Sequence, residues 1–127
     1  MNRLVLDAGA FVAFERGDVA TRARLAAARK LGMEVVTTAP VVAQVWRDGR
    51  RQALVARLVA ATRVDAPDEA AARAAGVLLA TTRGSDVVDA LLAVLARDGD
   101  TLLTSDLEDL RRLLAAAGSR VAIALTT

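Results

Sequence analysis

Three aspartates carry the chemical interest of this sequence. Asp7 follows the apolar run Arg3 to Leu6. Asp89 leads the run Asp89-Ala90-Leu91-Leu92-Ala93-Val94-Leu95-Ala96, and Asp106 closes Leu103-Thr104-Ser105-Asp106. Asp86 stands one helical turn before Asp89. Taken singly, Asp7, Asp86 and Asp106 are good helix N-caps. Asp89 is harder to explain that way, because it lies within an apolar helical stretch where aspartate is a poor helix former. Its charge must reach water, a partner or a metal. Carboxylates that converge repel one another unless a cation or a proton relieves the repulsion. Oxygen-only ligand sets favour hard ions such as Mg²⁺ or Mn²⁺. Such a site suits hydrolysis of phosphodiesters.

The rest of the composition removes competing chemistries. The 127 residues contain no His, Cys or Tyr, which excludes a Ser-His-Asp triad, thiol catalysis, disulfides and His- or Cys-bound zinc. Lys30 is the only lysine and belongs to no phosphate-loop pattern. The net charge is +2 with a pI near 10.3, because nearly all the bases are arginine. This arginine content permits a nucleic-acid substrate, and coding bias explains it equally well. The mean hydropathy is +0.36, yet the longest uncharged apolar stretch, Val35 to Trp46, contains Pro40 and falls far short of the ~20 residues a bilayer span needs. The Met-Asn-Arg start, soon followed by Asp7, does not read as a signal peptide. A soluble, cysteine-free, cytoplasmic protein is the expectation, and the length fits one domain over residues 1–127.

These carboxylates need elements to position them, and the pattern supplies strands alternating with helices. Strands are expected at Arg3–Leu6, Glu34–Thr37, Arg63–Asp65, Thr101–Thr104 and Arg120–Leu125. Helices are expected at Ala8–Glu15, Val19–Leu31, Pro40–Arg47, Arg51–Ala61, Pro67–Thr81, Asp86–Arg97 and from Ser105 or Asp106 to Ala117. Asp18, Thr38 and Asp86 are candidate caps, and Asp98-Gly99-Asp100 reads as a turn. The alternation argues an α/β domain with a parallel sheet and helices on both faces. In such sheets, sites form at the carboxyl ends of the strands, where Asp7 and Asp106 fall.

The stretches Leu4-Val5-Leu6-Asp7-Ala8-Gly9-Ala10-Phe11, Asp89 to Ala96 and Leu103-Thr104-Ser105-Asp106, in this order and spacing, resemble a PIN domain of the kind found in toxin ribonucleases of VapBC-type toxin–antitoxin pairs. The resemblance covers essentially the whole chain. It implies a three-layer α/β/α sandwich with a central five-stranded, mostly parallel sheet. It implies a Mg²⁺- or Mn²⁺-dependent endoribonuclease, a homodimer and a cognate antitoxin. Asp7, Asp89 and Asp106 fall on its acidic metal-site positions, and Thr104 or Ser105 on that of a supporting hydroxyl. Asp109 is near enough to be a secondary acid, although a helix-surface role is the simpler reading. The family usually carries a Glu on the helix after the second strand, and here that position is Gln44. Gln keeps the oxygen and loses the charge. Asp86 is the expected source of the missing charge, and Asp48 reads as a turn residue before Gly49.

Arg16, Arg47 and Arg51 are candidate RNA contacts, with Arg22 and Arg24 further surface candidates. The lone Trp46 reads as packing or a dimer interface in preference to a base-stacking platform. The competing reading is a weakened or inactive PIN-type module that binds RNA or an antitoxin, with Gln44 marking the loss of metal.

Overall fold

The computed structural model describes residues 2–126. Strands β1 (Arg3–Leu6), β2 (Glu34–Thr38), β3 (Arg63–Asp65), β4 (Thr101–Thr104) and β5 (Ala122–Leu125) form one sheet, ordered β3-β2-β1-β4-β5. Every pairing is parallel, including β1 with β4, where Val5 lies opposite Leu102. The helices between them are α1 (Ala8–Glu15), α2 (Val19–Lys30), α3 (Ala39–Val45), α4 (Ala53–Ala60), α5 (Glu69–Thr82), α6 (Val87–Leu95) and α7 (Leu107–Ala117).

The chain builds outward from β1 to β3, then returns to place β4 and β5 on the other side of β1. With right-handed crossovers, that reversal sends the helices before β3 to one face and the helices after it to the other. Accordingly α1 packs against α2, α3 and α4, while α5, α6 and α7 pack together. The result is a three-layer α/β/α sandwich. The reversal point, between β1 and β4, is where a doubly wound sheet opens a crevice at its carboxyl edge.

β1 is buried on both faces, so it reads as a continuous apolar run; Leu4, Val5 and Leu6 are almost wholly shielded. Phe11 of α1, Val36 of β2, Leu92 of α6, Leu102 and Leu103 of β4 and Leu110 of α7 complete the core around it. The expected caps form. Asp18 accepts from Thr21 N and Thr38 from Val41 N; Asp68, expected inside a helix from Pro67, instead caps it by accepting from Ala71 N, so α5 runs from Glu69 to Thr82. Gly118 takes the left-handed conformation that ends α7. Arg83 ends α5 in the same conformation, with φ 57°, and as a non-glycine it carries a strain of roughly 1 kcal/mol there.

Several boundaries differ from the sequence expectation. β2 runs one residue further, to Thr38, and α2 closes at Lys30. α3 stops at Val45, two residues short of Arg47, because Trp46 is extended and Gln52 staples the following loop. The Gln52 side chain accepts from Arg47 N and Asp48 N and donates to Val45 O. α4 therefore starts at Ala53 and not at Arg51, whose N–H donates to Asp48 O in a turn. α6 ends at Leu95 and not at Arg97, and β5 begins at Ala122 and not at Arg120.

Both of the last two changes trace to the 98–100 segment. Asp98 accepts from Arg120 N. Asp100 is no simple turn residue: its buried carboxylate accepts from Arg3 N, from the Arg3 guanidinium at 2.7 Å and from Arg97 N. Arg3 also donates to Leu95 O, taking up a carbonyl at the end of α6. Burial alone would raise the Asp100 pKa, but the Arg3 and Arg97 hydrogen bonds outweigh it and hold the carboxyl below its usual value. This pair ties the start of β1 to the turn before β4.

Removing one partner of a buried pair strands the other charge, so Asp100→Ala is expected to cost about 3–5 kcal/mol in urea unfolding. A group with a lowered folded pKa contributes fully above its unfolded value, about pH 4, and loses that contribution as pH falls through the folded value. The acid-unfolding curve of the variant should accordingly be flatter below pH 4 than that of the wild type. A loss under 1 kcal/mol would mean that the pair does not anchor the sheet.

Candidate metal centre

The end of β1 is held from both sides. Asp7 N donates to Leu103 O of β4 at 3.0 Å, and Thr37 Oγ1 of β2 donates to Leu6 O at 2.6 Å. The Asp7 side chain is consequently fixed at the carboxyl edge, 5% exposed. One of its oxygens accepts from Ala8 N, which caps α1, and the other accepts from Thr104 Oγ1 at 2.7 Å. Thr104 Oγ1 in turn accepts from Asp106 N at 2.9 Å. A single buried hydroxyl thus links the two strand ends. Strand alternation decides between the two candidate hydroxyls, for Thr104 points inward and Ser105 is exposed.

Gly9 makes the close approach possible. A Cβ there would lie 2.8 Å from Ser105 Cβ and 2.9 Å from Ser105 N. The first turn of α1 therefore sits directly on the β4–α7 junction, and any larger residue would push Asp7 away from Asp106.

Asp89 lies in the first turn of α6 and is also 5% exposed. Its N–H donates to Asp86, so Asp86 serves as the α6 cap. Asp106 occupies the N-cap position of α7 without making a side-chain cap bond, which leaves its carboxylate available. One oxygen each from Asp89, Asp106 and Asp109 lies within 4.8 Å of the others. Asp109 belongs to this group because it follows Asp106 by three residues and shares its helix face. That spacing is the signal in the sequence, and a helix-surface reading of Asp109 overlooks it.

The electrostatics match the crowding. Burial raises the Asp89 pKa to about 7, with further increases from Asp7, Asp86, Asp106 and Asp109. Burial also raises that of Asp7, against the lowering by Thr104 and Ala8, and Asp106 and Asp86 add to the rise. Five carboxylates thus act on one another. Arg112 pairs with Asp109 at 3.0 Å, and the oxygen-only donors with the repulsion that remains fit a hard divalent cation.

The other candidates lie further out. Gln44 is exposed on α3, with no hydrogen bond to the carboxylates among the described residues. Arg16 lines a groove of about 720 Å³ that runs from Ala8 and Ser105 past Val12 to Val19. Arg47 donates to Ala43 O and Trp46 O at the end of α3. Arg51 faces Asp48 at 3.8 Å in solvent. Asp48 forms the turn expected of it, accepting from Arg50 N, and Trp46 is 40% exposed and lies over Gly49.

Asp89 has a folded pKa above its unfolded value. Between about pH 4 and pH 7 the folded protein holds a proton that the unfolded chain has released, so stability falls as pH rises through that window. Without metal, the melting temperature should be lower at pH 8 than at pH 5, Asp89→Asn should flatten the difference, and Mn²⁺ should raise it more at pH 8. Equal melting temperatures at both pH values would contradict the raised pKa of the buried Asp89. Gly9→Ala is expected to cost about 1–3 kcal/mol by overpacking the junction; unchanged stability would show that the junction has slack.

A family model described as PIN domain matches residues 4–115. No curated protein matches the chain. Among solved structures, it is similar to a chain in the crystal structure of VapBC2 from Rickettsia felis bound to a DNA fragment from their promoter. The TM-score is 0.67 and the identity 11%, over 96% of this chain and 97% of that one.

Proposed function

The chain belongs to the PIN-domain family, and on that premise we propose that it is a Mg²⁺- or Mn²⁺-dependent endoribonuclease, the toxin of a type II toxin–antitoxin pair. The carrying observation is the convergence of Asp89, Asp106 and Asp109 beside the buried Asp7. Residues 1–127 act as one domain in this reading. RNA is the substrate, the cytoplasm the place of action, and a cognate antitoxin and a second copy of the chain are the partners. The similar Rickettsia felis protein was solved as VapBC2 on its promoter DNA, which supports the antitoxin part of the reading.

Asp7, Asp89 and Asp106 hold the cation, and Asp109 joins them. Asp86 caps α6 through one oxygen and lies close enough to act on Asp7 and Asp89 by charge, so Asp86 and Asp109 together supply the charge that Gln44 lacks. Gln44 contributes at most a neutral oxygen from α3. When bound, the cation supplies charge neutralisation, a polarised phosphate and a more acidic water.

The protein's own groups do the positioning. Thr104 Oγ1 fixes the orientation of the Asp7 carboxylate, as a pre-organised site requires. Leu103 O and Thr37 Oγ1 hold the backbone beneath it. Arg16 faces the groove beside Ser105, where it meets RNA phosphates leaving the site. Arg47 and Arg51 flank the α3–α4 loop as outer contacts, and Trp46 belongs to the dimer interface.

The alternative, a binding module without metal, rests on Gln44 alone. A fourth carboxylate at Asp109 removes the need for a Glu at that position.

The deciding experiment incubates the purified protein with a structured RNA pool in Mg²⁺, in Mn²⁺ and in EDTA, beside Asp7→Asn and Asp106→Asn. Cleavage is expected with either metal, none with EDTA, and a loss of at least about 100-fold in both variants, as for the removal of a pre-organised electrostatic group. Cleavage that persists in EDTA or in the variants would defeat the reading. Isothermal titration with Mn²⁺ gives a second measure, in which Gln44→Glu should tighten binding.

A further inference from the structure

Beside the carboxylates lies a pocket that the reaction as described does not use. Its volume is about 210 Å³, and its polar lining is Thr82, Arg83, Ser85, Asp86, Asp109 and Arg112. Liquid water occupies about 30 Å³ per molecule, so the pocket has room for several waters or one phosphate with part of its sugar. Asp86 and Asp109 form the wall it shares with the metal centre. Arg83 and Arg112 bring two permanent positive charges to it.

Arg83 ends α5 and Arg112 pairs along α7, and these two positions bring both arginines beside the carboxylates. Arg83 has a left-handed backbone, the only positive φ on a non-glycine among the described residues. Glycine is the favoured residue at that helix-ending position, and strained non-glycine backbone gathers at functional sites. Arg112 Nη2 lies 3.0 Å from Asp109 Oδ1, and Asp109 is one of the three carboxylates that converge. Arg112 is thus one ion pair from the metal position and competes with a cation for the same acid.

We propose that this pocket is a phosphate subsite for the nucleotide next to the cleaved bond, with Arg83 and Arg112 as its positioning residues. The proposal rests on the nuclease reading above. Asp109, once engaged with a cation, holds Arg112 less tightly, and the freed guanidinium turns toward the RNA backbone. Arginine suits this role because its planar fork grips phosphate oxygens in pairs. Metal and RNA then bind cooperatively through one shared aspartate.

The test measures steady-state cleavage of a fluorescein-labelled RNA from the pool at several KCl concentrations, for wild type, Arg83→Gly, Arg112→Gln and Arg112→Lys. Arg83→Gly and Arg112→Gln should each raise KM about tenfold, the worth of one charged hydrogen bond, and leave kcat nearly unchanged. Each should also reduce the slope of log KM against log salt by about 0.7, the change expected when one phosphate of a single strand is no longer neutralised. Arg112→Lys should restore part of the affinity. Arg83→Gly should at the same time melt at a higher temperature, which separates a binding role from a capping role. Titration with Mn²⁺ alone should show Arg112→Gln binding about two- to fivefold tighter, the range for an exposed ion pair. Wild-type cleavage with unchanged KM and salt slope in both variants would overturn the subsite and leave the nuclease standing. A wild type that cleaves no RNA in either metal would overturn both.

Discussion

Buried negative charge is the constraint around which this protein is organised. Asp7 and Asp89 are almost completely shielded from water and stand among other carboxylates, a position that costs free energy in the absence of a cation or a proton. The surrounding structure consists largely of devices that hold them there. Thr104 gives Asp7 a donor, Ala8 N gives it another, and β2 and β4 grip the peptide beneath it. Gly9 removes the side chain that would wedge the crevice open. The aspartate at the candidate metal centre also caps α1, so a capping role and a site position are compatible in one residue.

The opposite end of the sheet handles buried charge by pairing. Arg3 and Asp100 are as deeply buried as Asp7 and Asp89, but each meets its opposite, and Leu95 O and Arg97 N complete the hydrogen bonding. No buried polar side-chain atom among the described residues lacks a partner. One end of β1 is thus electrostatically closed and the other is open. That contrast across a four-residue strand marks the carboxyl edge as the candidate site more clearly than the number of acids does.

Much of this is legible in the sequence. The continuous apolar runs announce strands buried on both faces, the aspartates and threonines announce helix starts, and the order of the three acidic motifs announces the family. What stays hidden depends on side chains meeting across long sequence separations. Asp100 reads as a turn residue because its partner Arg3 is 97 positions away. Gln52 gives no local sign that it bonds three backbone groups and shortens α3. Thr104 and Ser105 are equivalent in one dimension and become distinct only when the pleat turns one inward. Asp109 is the exception, since its spacing from Asp106 is visible in the sequence and a surface role is merely the simpler explanation of it.

The bond between Thr104 and Asp7 spans 97 positions of the chain, and this has a consequence in time. Synthesis delivers α1 and its aspartate early, but the hydroxyl that orients that aspartate and the acids at 106 and 109 arrive near the end. Because β4 follows α5 and α6 in sequence, a chain that stops before residue 104 lacks Thr104, Asp106 and Asp109 and keeps only Asp7, Asp86 and Asp89 of the interacting acids. The full acidic cluster therefore comes into being only with the completed fold.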